Sequence, residues 1–207
     1  MQANPPAACG FIPSDCAQGN CIIGAMTRFT NVLLNSKCAP STATTQAVEF
    51  LVHFLGDITQ PLHNCKRDVG GNSDTVTFNG ASTNFHHIHD TDIPAAYAVE
   101  KGYGATDIQG VAGYLDSKYS TNIAAYTSPV YIDIHTTDSY GNLVATIAMA
   151  NDGNALDCSK SAFWTLYDQD PNQDFGGAYY DAVSLNVLYD GLFITGTPFA
   201  VLRRRIS

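Results

Sequence analysis

The sequence predicts an all-α protein: a single helical domain spanning 1–207, with one small β-hairpin. Three observations carry this. Apolar residues recur at helical spacing through most of the chain, most densely over 42–59, where Val48, Leu51, Val52, Phe54, Leu55 and Ile58 leave almost no polar face. Strand-like alternation is confined to Thr75–Phe78, and Asn79-Gly80 after it is the strongest short hairpin signal. With 207 residues, 45% hydrophobic and 14% charged, the chain can build one real core and is too apolar to stay disordered.

In order, residues 1–20 read as a loop pinned by cysteines and broken by Pro5-Pro6, Gly10, Pro13 and Gly19. Ile22, Ile23, Met26, Phe29, Val32 and Leu33 predict a helix over 21–34. A second helix runs over 42–59. It is apolar on nearly every face, which predicts burial all round, and Pro61 ends it by forcing Gln60 out of the α region. The hairpin follows. Residues 85–101 read as helix that Pro94 must kink or restart. A stripe of Ile108, Val111, Ala112, Leu115 and Tyr119 predicts an amphipathic helix over 107–126, and 129–136 is extended or loop. Asp138 is a candidate cap for a helix carrying Leu143, Ile147, Ala148 and Ala155. Residues 157–175 read as loop, 178–192 as a last helix, and Arg203–Arg205 as a solvated tail.

A formal net charge of −9 argues against a nonspecific duplex binder, which needs a basic stripe. It leaves room for a nucleic-acid enzyme whose bound metal supplies the positive charge. Six cysteines, Cys9, Cys16, Cys21, Cys38, Cys65 and Cys158, contain no Cys-x-x-Cys. That disfavours a sulfur zinc site and suits disulfides formed in an oxidising compartment, with fifteen pairings open and buried free thiols as the alternative. The chain opens Met1-Gln-Ala-Asn-Pro-Pro without a charged-then-apolar leader, no apolar run reaches membrane-spanning length, and no Asn-x-Ser/Thr acceptor occurs. No membrane partner is expected.

Chemistry concentrates in one window. His53 and Asp57 sit four residues apart, so both lie on one face of the second helix, and an unpaired buried carboxylate there would be costly. His86 and Asp90 repeat the spacing, and His63 lies just past the helix end. Five of the six histidines fall between 53 and 90. A lone histidine is more often a satisfied side chain than a ligand, but two His-x-x-x-Asp pairs plus a fifth donor reverse that weighting toward a zinc-type site.

His53-Phe-Leu-Gly-Asp-Ile-Thr-Gln-Pro-Leu-His63, Val69-Gly-Gly-Asn72, Val76-Thr-Phe-Asn-Gly80 and Asn84-Phe-His86 with Asp90 resemble the zinc-dependent single-strand-specific nucleases of the S-one/P-one family. The match is dense over 5–94 and thinner to about 180. The resemblance implies the helical fold shared with zinc-dependent phospholipase C, secretion, a monomer, and hydrolysis of single-stranded DNA or RNA and 3′-nucleotides to 5′-phosphate products. It implies up to three zinc ions, with His63, His86 and Asp90 forming a mononuclear site, His53 and Asp57 serving the paired ions, and Asp57 bridging them. It places Val69 in the base-binding wall and suggests Cys9–Cys158 and Cys16–Cys21, leaving Cys38–Cys65. The family's remaining ligands and its catalytic carboxylate precede the Asn-Pro-Pro segment where this sequence opens. The expectation is therefore an N-terminally truncated domain with about one zinc, weak hydrolysis, and no catalytic residue here beyond the metal ligands. Residues 191–207 lack the family's closing-helix signature. His89 stands where the family prefers Trp, and a local packing change is expected there. His87 has no assigned role, and Gly70-Gly71 reads as a structural turn. Two other readings stay open: a zinc-dependent phospholipase C, whose last ligand resembles Glu where Asp90 stands, and a zinc-binding homologue without catalysis.

Overall fold

A computed structural model describes residues 9–119, 133–158 and 163–184. The expected tail over 191–207, Arg203–Arg205, and the parts of the expected helices beyond 119 and 184 lie outside these residues.

Helix α1 (Ile22–Ser36) and α2 (Thr42–Thr59) open the fold. Ser41 starts α2 with a reciprocal cap: its hydroxyl accepts from the Thr44 N–H, and the Thr44 hydroxyl accepts from the Ser41 N–H. Ile23, Met26 and Leu33 of α1 meet Ala47, Leu51, Leu55 and Ile58 of α2, and Met149 and Ala150 of a later helix close this first core. Each fully buried large side chain of this kind contributes about 1.5–3 kcal/mol. Disulfides Cys16–Cys21 and Cys9–Cys158 tie the entry loop to the start of α1 and to the end of that later helix.

The hairpin pairs β1 (Thr75–Phe78) with β2 (Ala81–Asn84), Phe78 opposite Ala81. Its two turn residues, Asn79 and Gly80, both have positive φ, as a type I′ turn demands. The Asp174 carboxylate accepts both their N–H groups at 2.8 Å. A short helix α3 (Phe85–His87) passes through a wide i→i+5 turn, Ile88–Asp92, into α4 (Ile93–Glu100), so Pro94 sits in a first turn and restarts the helix. Then come α5 (Ile108–Tyr119), α6 (Val144–Cys158), α7 (Phe163–Gln169) and α8 (Ala178–Ser184). The second core gathers Leu62, Phe78, Phe85, Ile88, Trp164 and Tyr179. Among the described residues the fold is helical with this one two-stranded sheet, and no helix is long and apolar enough to cross a membrane.

Several expectations are corrected. Cys38 and Cys65 are free thiols, because Cys38 packs beside the first core and Cys65 beside the second. Helix α2 is not buried all round: Phe50 and Val52 are 45% and 54% exposed. The α5 stripe is not a buried face either, since Ile108 is 81% exposed and Ala112 is exposed; the ring of Tyr114 lies instead against Tyr97. Asp138 caps a turn, accepting the N–H groups of Tyr140 and Asn142, and α6 begins only at Val144. Within the stretch read as loop, Phe163–Gln169 is helical because Phe163 and Trp164 anchor it in the second core.

Candidate metal centre

The site lies at the corner where α2 ends. Ile58 belongs to the first core and Leu62 to the second, so the corner is pinned from both sides. Pro61 holds Gln60 at φ −71°, ψ 117°, and Pro61–Asn64 continues as one tight turn. The Asn64 amide donates to the carbonyls of Ile58 and Gln60. Beneath it, Asn154 of α6 donates to the Asn64 carbonyl at 3.0 Å. Position 153 must be glycine for this contact, since a Cβ there would stand 2.7 Å from the Asn64 amide nitrogen.

This turn places the His63 ring between two carboxylates. Its Nδ1 lies 3.1 Å from the Asp57 main-chain oxygen and 3.5 Å from Asp57 Oδ1, and its Nε2 lies 3.5 Å from Asp90 Oδ1. His53 Nε2 is 3.1 Å from Asp57 Oδ2 on the other side. The second pair arrives from α3, which Asn84 caps by accepting the His87 N–H. His86 Nε2 lies 3.1 Å from Asp90 Oδ2, and its ring stacks on His63 with centroids 5.0 Å apart. All five sequence-predicted donors are thus linked. Among the described residues, His63, His86 and Asp90 are the one group of three whose ligand atoms all lie within 4.8 Å of one another.

The loop between the pairs aims His86. Asp68 and Val69 have φ of 48° and 59°, an unusual conformation for a side-chain-bearing residue, and Gly70 and Gly71 follow with positive φ. A Cβ on Gly70 would stand 2.7 Å from the Leu62 carbonyl oxygen. The loop is fastened by Arg67, whose guanidinium grips the Asp168 carboxylate and lies 4.2 Å over the Trp164 ring. So held, the Gly70 carbonyl accepts from His86 Nδ1 at 2.7 Å.

The proton positions follow. A carbonyl oxygen only accepts, so Nδ1 of both His63 and His86 carries the proton, and Nε2 of each neutral ring is a bare acceptor. While both rings are neutral, two Nε2 atoms and the Asp90 oxygens face one another, and among the described residues only the Gln60 amide, 2.9 Å from Asp90 Oδ1, donates to them. Acceptors gathered like this need a cation. Two imidazole nitrogens and a carboxylate, with each ring oriented by a carbonyl, fit a divalent metal ion. Without one, protons do the work. Hydrogen bonding to Asp90 raises the His86 pKa above its ordinary value against the opposing effect of burial, with help from Gly70. Burial works against ionising Asp90, but hydrogen bonds from His63, His86 and Gln60 together hold its pKa far below the usual range.

The other histidines stay out. His89 is buried, its Nε2 2.7 Å from the Tyr179 hydroxyl and its ring 3.9 Å from that of Phe163, and burial pushes its pKa down to about 3. It is the packing change expected at that position. His87 is exposed near Asp92. Val69 is 70% exposed on the loop that carries Gly70. Sequence reasoning missed Gln60, Asn64, Asn154 and the orienting role of Gly70. Of these only the Gly70-Gly71 pair carried a local signal.

The S1/P1 nuclease family model matches residues 3–196. This chain belongs to that family. It is 33% identical over 185 residues to nuclease S1 of Aspergillus oryzae, covering 87% of this chain and 61% of that protein. To nuclease P1 of Penicillium citrinum it is 32% identical over 157 residues, 75% of this chain and 56% of that protein. A plant relative, endonuclease 2 of Arabidopsis thaliana, is 39% identical over 101 residues, 44% of this chain and 35% of that protein. This S1/P1 family member thus spans less than two thirds of the length of these relatives.

Proposed function

We propose that this chain is a zinc-dependent phosphodiesterase acting on single-stranded nucleic acid and nucleotides. The observation that carries the reading is the meeting of His63, His86 and Asp90, whose ligand atoms all lie within 4.8 Å of one another. His63, His86 and Asp90 would hold one zinc tightly, and His53 with Asp57 would contribute more weakly to further metal. Bound there, zinc supplies a water acidified to about pKa 7 and charge stabilisation at phosphoryl oxygens. The chain's own part is orientation: the Asp57 and Gly70 carbonyls fix which ring nitrogens stay unprotonated, and the two cores hold the corner. Val69, exposed beside the site, would offer an apolar surface to a base. Relatives named nucleases and endonucleases favour nucleic acid over phospholipid as substrate. The two disulfides support an oxidising, extracellular setting.

The test pairs zinc stoichiometry with release of acid-soluble nucleotides from denatured DNA. About one tightly held zinc per chain, with hydrolysis that a chelator abolishes and zinc restores, is the expected result. Zinc without any hydrolysis would make the chain a binding homologue, and lecithin cleavage without nucleotide release would make it a phospholipase.

A further inference from the structure

We propose that Gln60 is a positioning residue for the metal centre, locking the Asp90 carboxylate against the two histidines; this rests on the reading of His63, His86 and Asp90 as ligands. Gln60 is where α2 stops, and Pro61 fixes its backbone. Its side chain then folds back so that Oε1 accepts from the Leu62 N–H. A backbone N–H can only donate, so the orientation of the amide is decided: oxygen toward Leu62, NH₂ the other way. That NH₂ meets Asp90 Oδ1 at 2.9 Å, across 30 positions of sequence.

The same residue ties the rest of the corner. Its N–H donates to the Asp57 carbonyl at 3.3 Å, and its carbonyl accepts from the His63 N–H at 3.1 Å and the Asn64 amide at 3.2 Å. One residue therefore touches the segments carrying Asp57, His63 and Asp90. Asp90 needs such help because it lies in the wide turn Ile88–Asp92 rather than in a regular helix. Among the described residues, Gln60 is the one donor to its carboxylate besides the two histidines. When those rings turn their bare Nε2 atoms to a metal, only the Gln60 amide still donates to Asp90. It occupies one lone pair of Oδ1 and leaves the others facing the site.

The experiment uses the full chain stripped of metal, titrated with zinc against a fluorescent chelator and separately with cobalt(II). Gln60→Glu keeps an oxygen for the Leu62 N–H but presents a second acceptor to Asp90; Gln60→Met removes both contacts. Loss of an outer partner costs about 10–100-fold in metal affinity, and that weakening, with an altered cobalt absorption spectrum, is expected in both variants. If Gln60→Glu binds zinc as tightly as the parent and keeps its cobalt spectrum, Gln60 only caps the turn and the proposal falls. Should Gln60→Met fail to fold, Gln60→Glu decides alone, because it retains the capping oxygen. A parent chain that takes up no zinc overturns the metal reading itself, a result separable from either variant's.

Discussion

His53–Asp57 and His86–Asp90 share a four-residue spacing and a 3.1 Å separation of ring nitrogen from carboxylate oxygen. Their surroundings differ. The His53 side chain is 69% exposed on a regular helix, and among the described residues only Asp57 and the edge of Phe54 orient its ring. The His86 side chain is 17% exposed, its Nδ1 held by Gly70, its ring stacked on His63, and its carboxylate partner gripped by Gln60. Equal spacing gives equal geometry within a pair. Among the described residues, the second pair is the one with outer contacts of the kind a metal site needs.

The sharpest way to break this comparison is to remove each carboxylate. Asp90→Ala is expected to weaken zinc binding by more than about 100-fold, beyond the range for losing an outer partner. Asp57→Ala should cost no more than about tenfold at the tight site, because it removes the longer contact to His63 Nδ1, Oδ1 at 3.5 Å, while the main-chain carbonyl at 3.1 Å survives. Competition titration with a chelator measures both, and equal losses would erase the distinction.

A buried carboxyl of α6, beside the Cys65 thiol, gives the next largest effect. Asp157 of α6 is buried, and among the described residues its carboxyl oxygens meet no nitrogen or hydroxyl donor, only the weakly donating Cys65 thiol. Burial pushes its pKa up to about 8, against the opposing effect of the Cys65 thiol. The folded chain therefore holds this proton more tightly than the unfolded chain does. Stability from it is full below the ordinary value of 3.8 and is lost as pH rises toward about 8. Urea melts from pH 5 to 8 should show the parent losing up to about 1.4 kcal/mol per pH unit relative to Asp157→Asn. A difference that stays constant with pH would mean an ordinary carboxyl.

Two glycines sharpen the contrast further. Gly70→Ala adds a Cβ 2.7 Å from the Leu62 oxygen at a φ of +65°, and should cost about 1–3 kcal/mol in thermal stability and weaken zinc binding too. Gly56→Ala, beside Asp57 in α2 with nothing within 4 Å, should gain about 0.5–1 kcal/mol and leave zinc affinity alone. The smallest effect belongs to His53→Ala. An exposed pair is worth about 0–1 kcal/mol, so stability should barely move and tight zinc binding should persist.

The helices α1 and α2, the hairpin and the donor set were legible because each is a local pattern. Helical spacing of apolar residues, Asn-Gly at a turn, and His-x-x-x-Asp within one helical turn need no knowledge of the rest of the chain. The misreadings share a cause. Periodicity alone predicted burial for Ile108 and Val52, yet burial depends on what covers a face. Spacing could not tell that Cys38 and Cys65 belong to different cores.

By itself the sequence determined which atoms could bind a metal and that they come in two equivalent pairs. The family resemblance already joined His63 to the second pair; tertiary structure decided how the three side chains converge. It did so by holding one corner between two cores, where Gln60, Gly70 and Asn154, distant in sequence, meet His63, His86 and Asp90 or the turn that carries them. The physical reason is that a ligand's donor atoms are chosen by local chemistry, whereas its tautomer and direction are set by whichever carbonyl or amide packing brings to its far side.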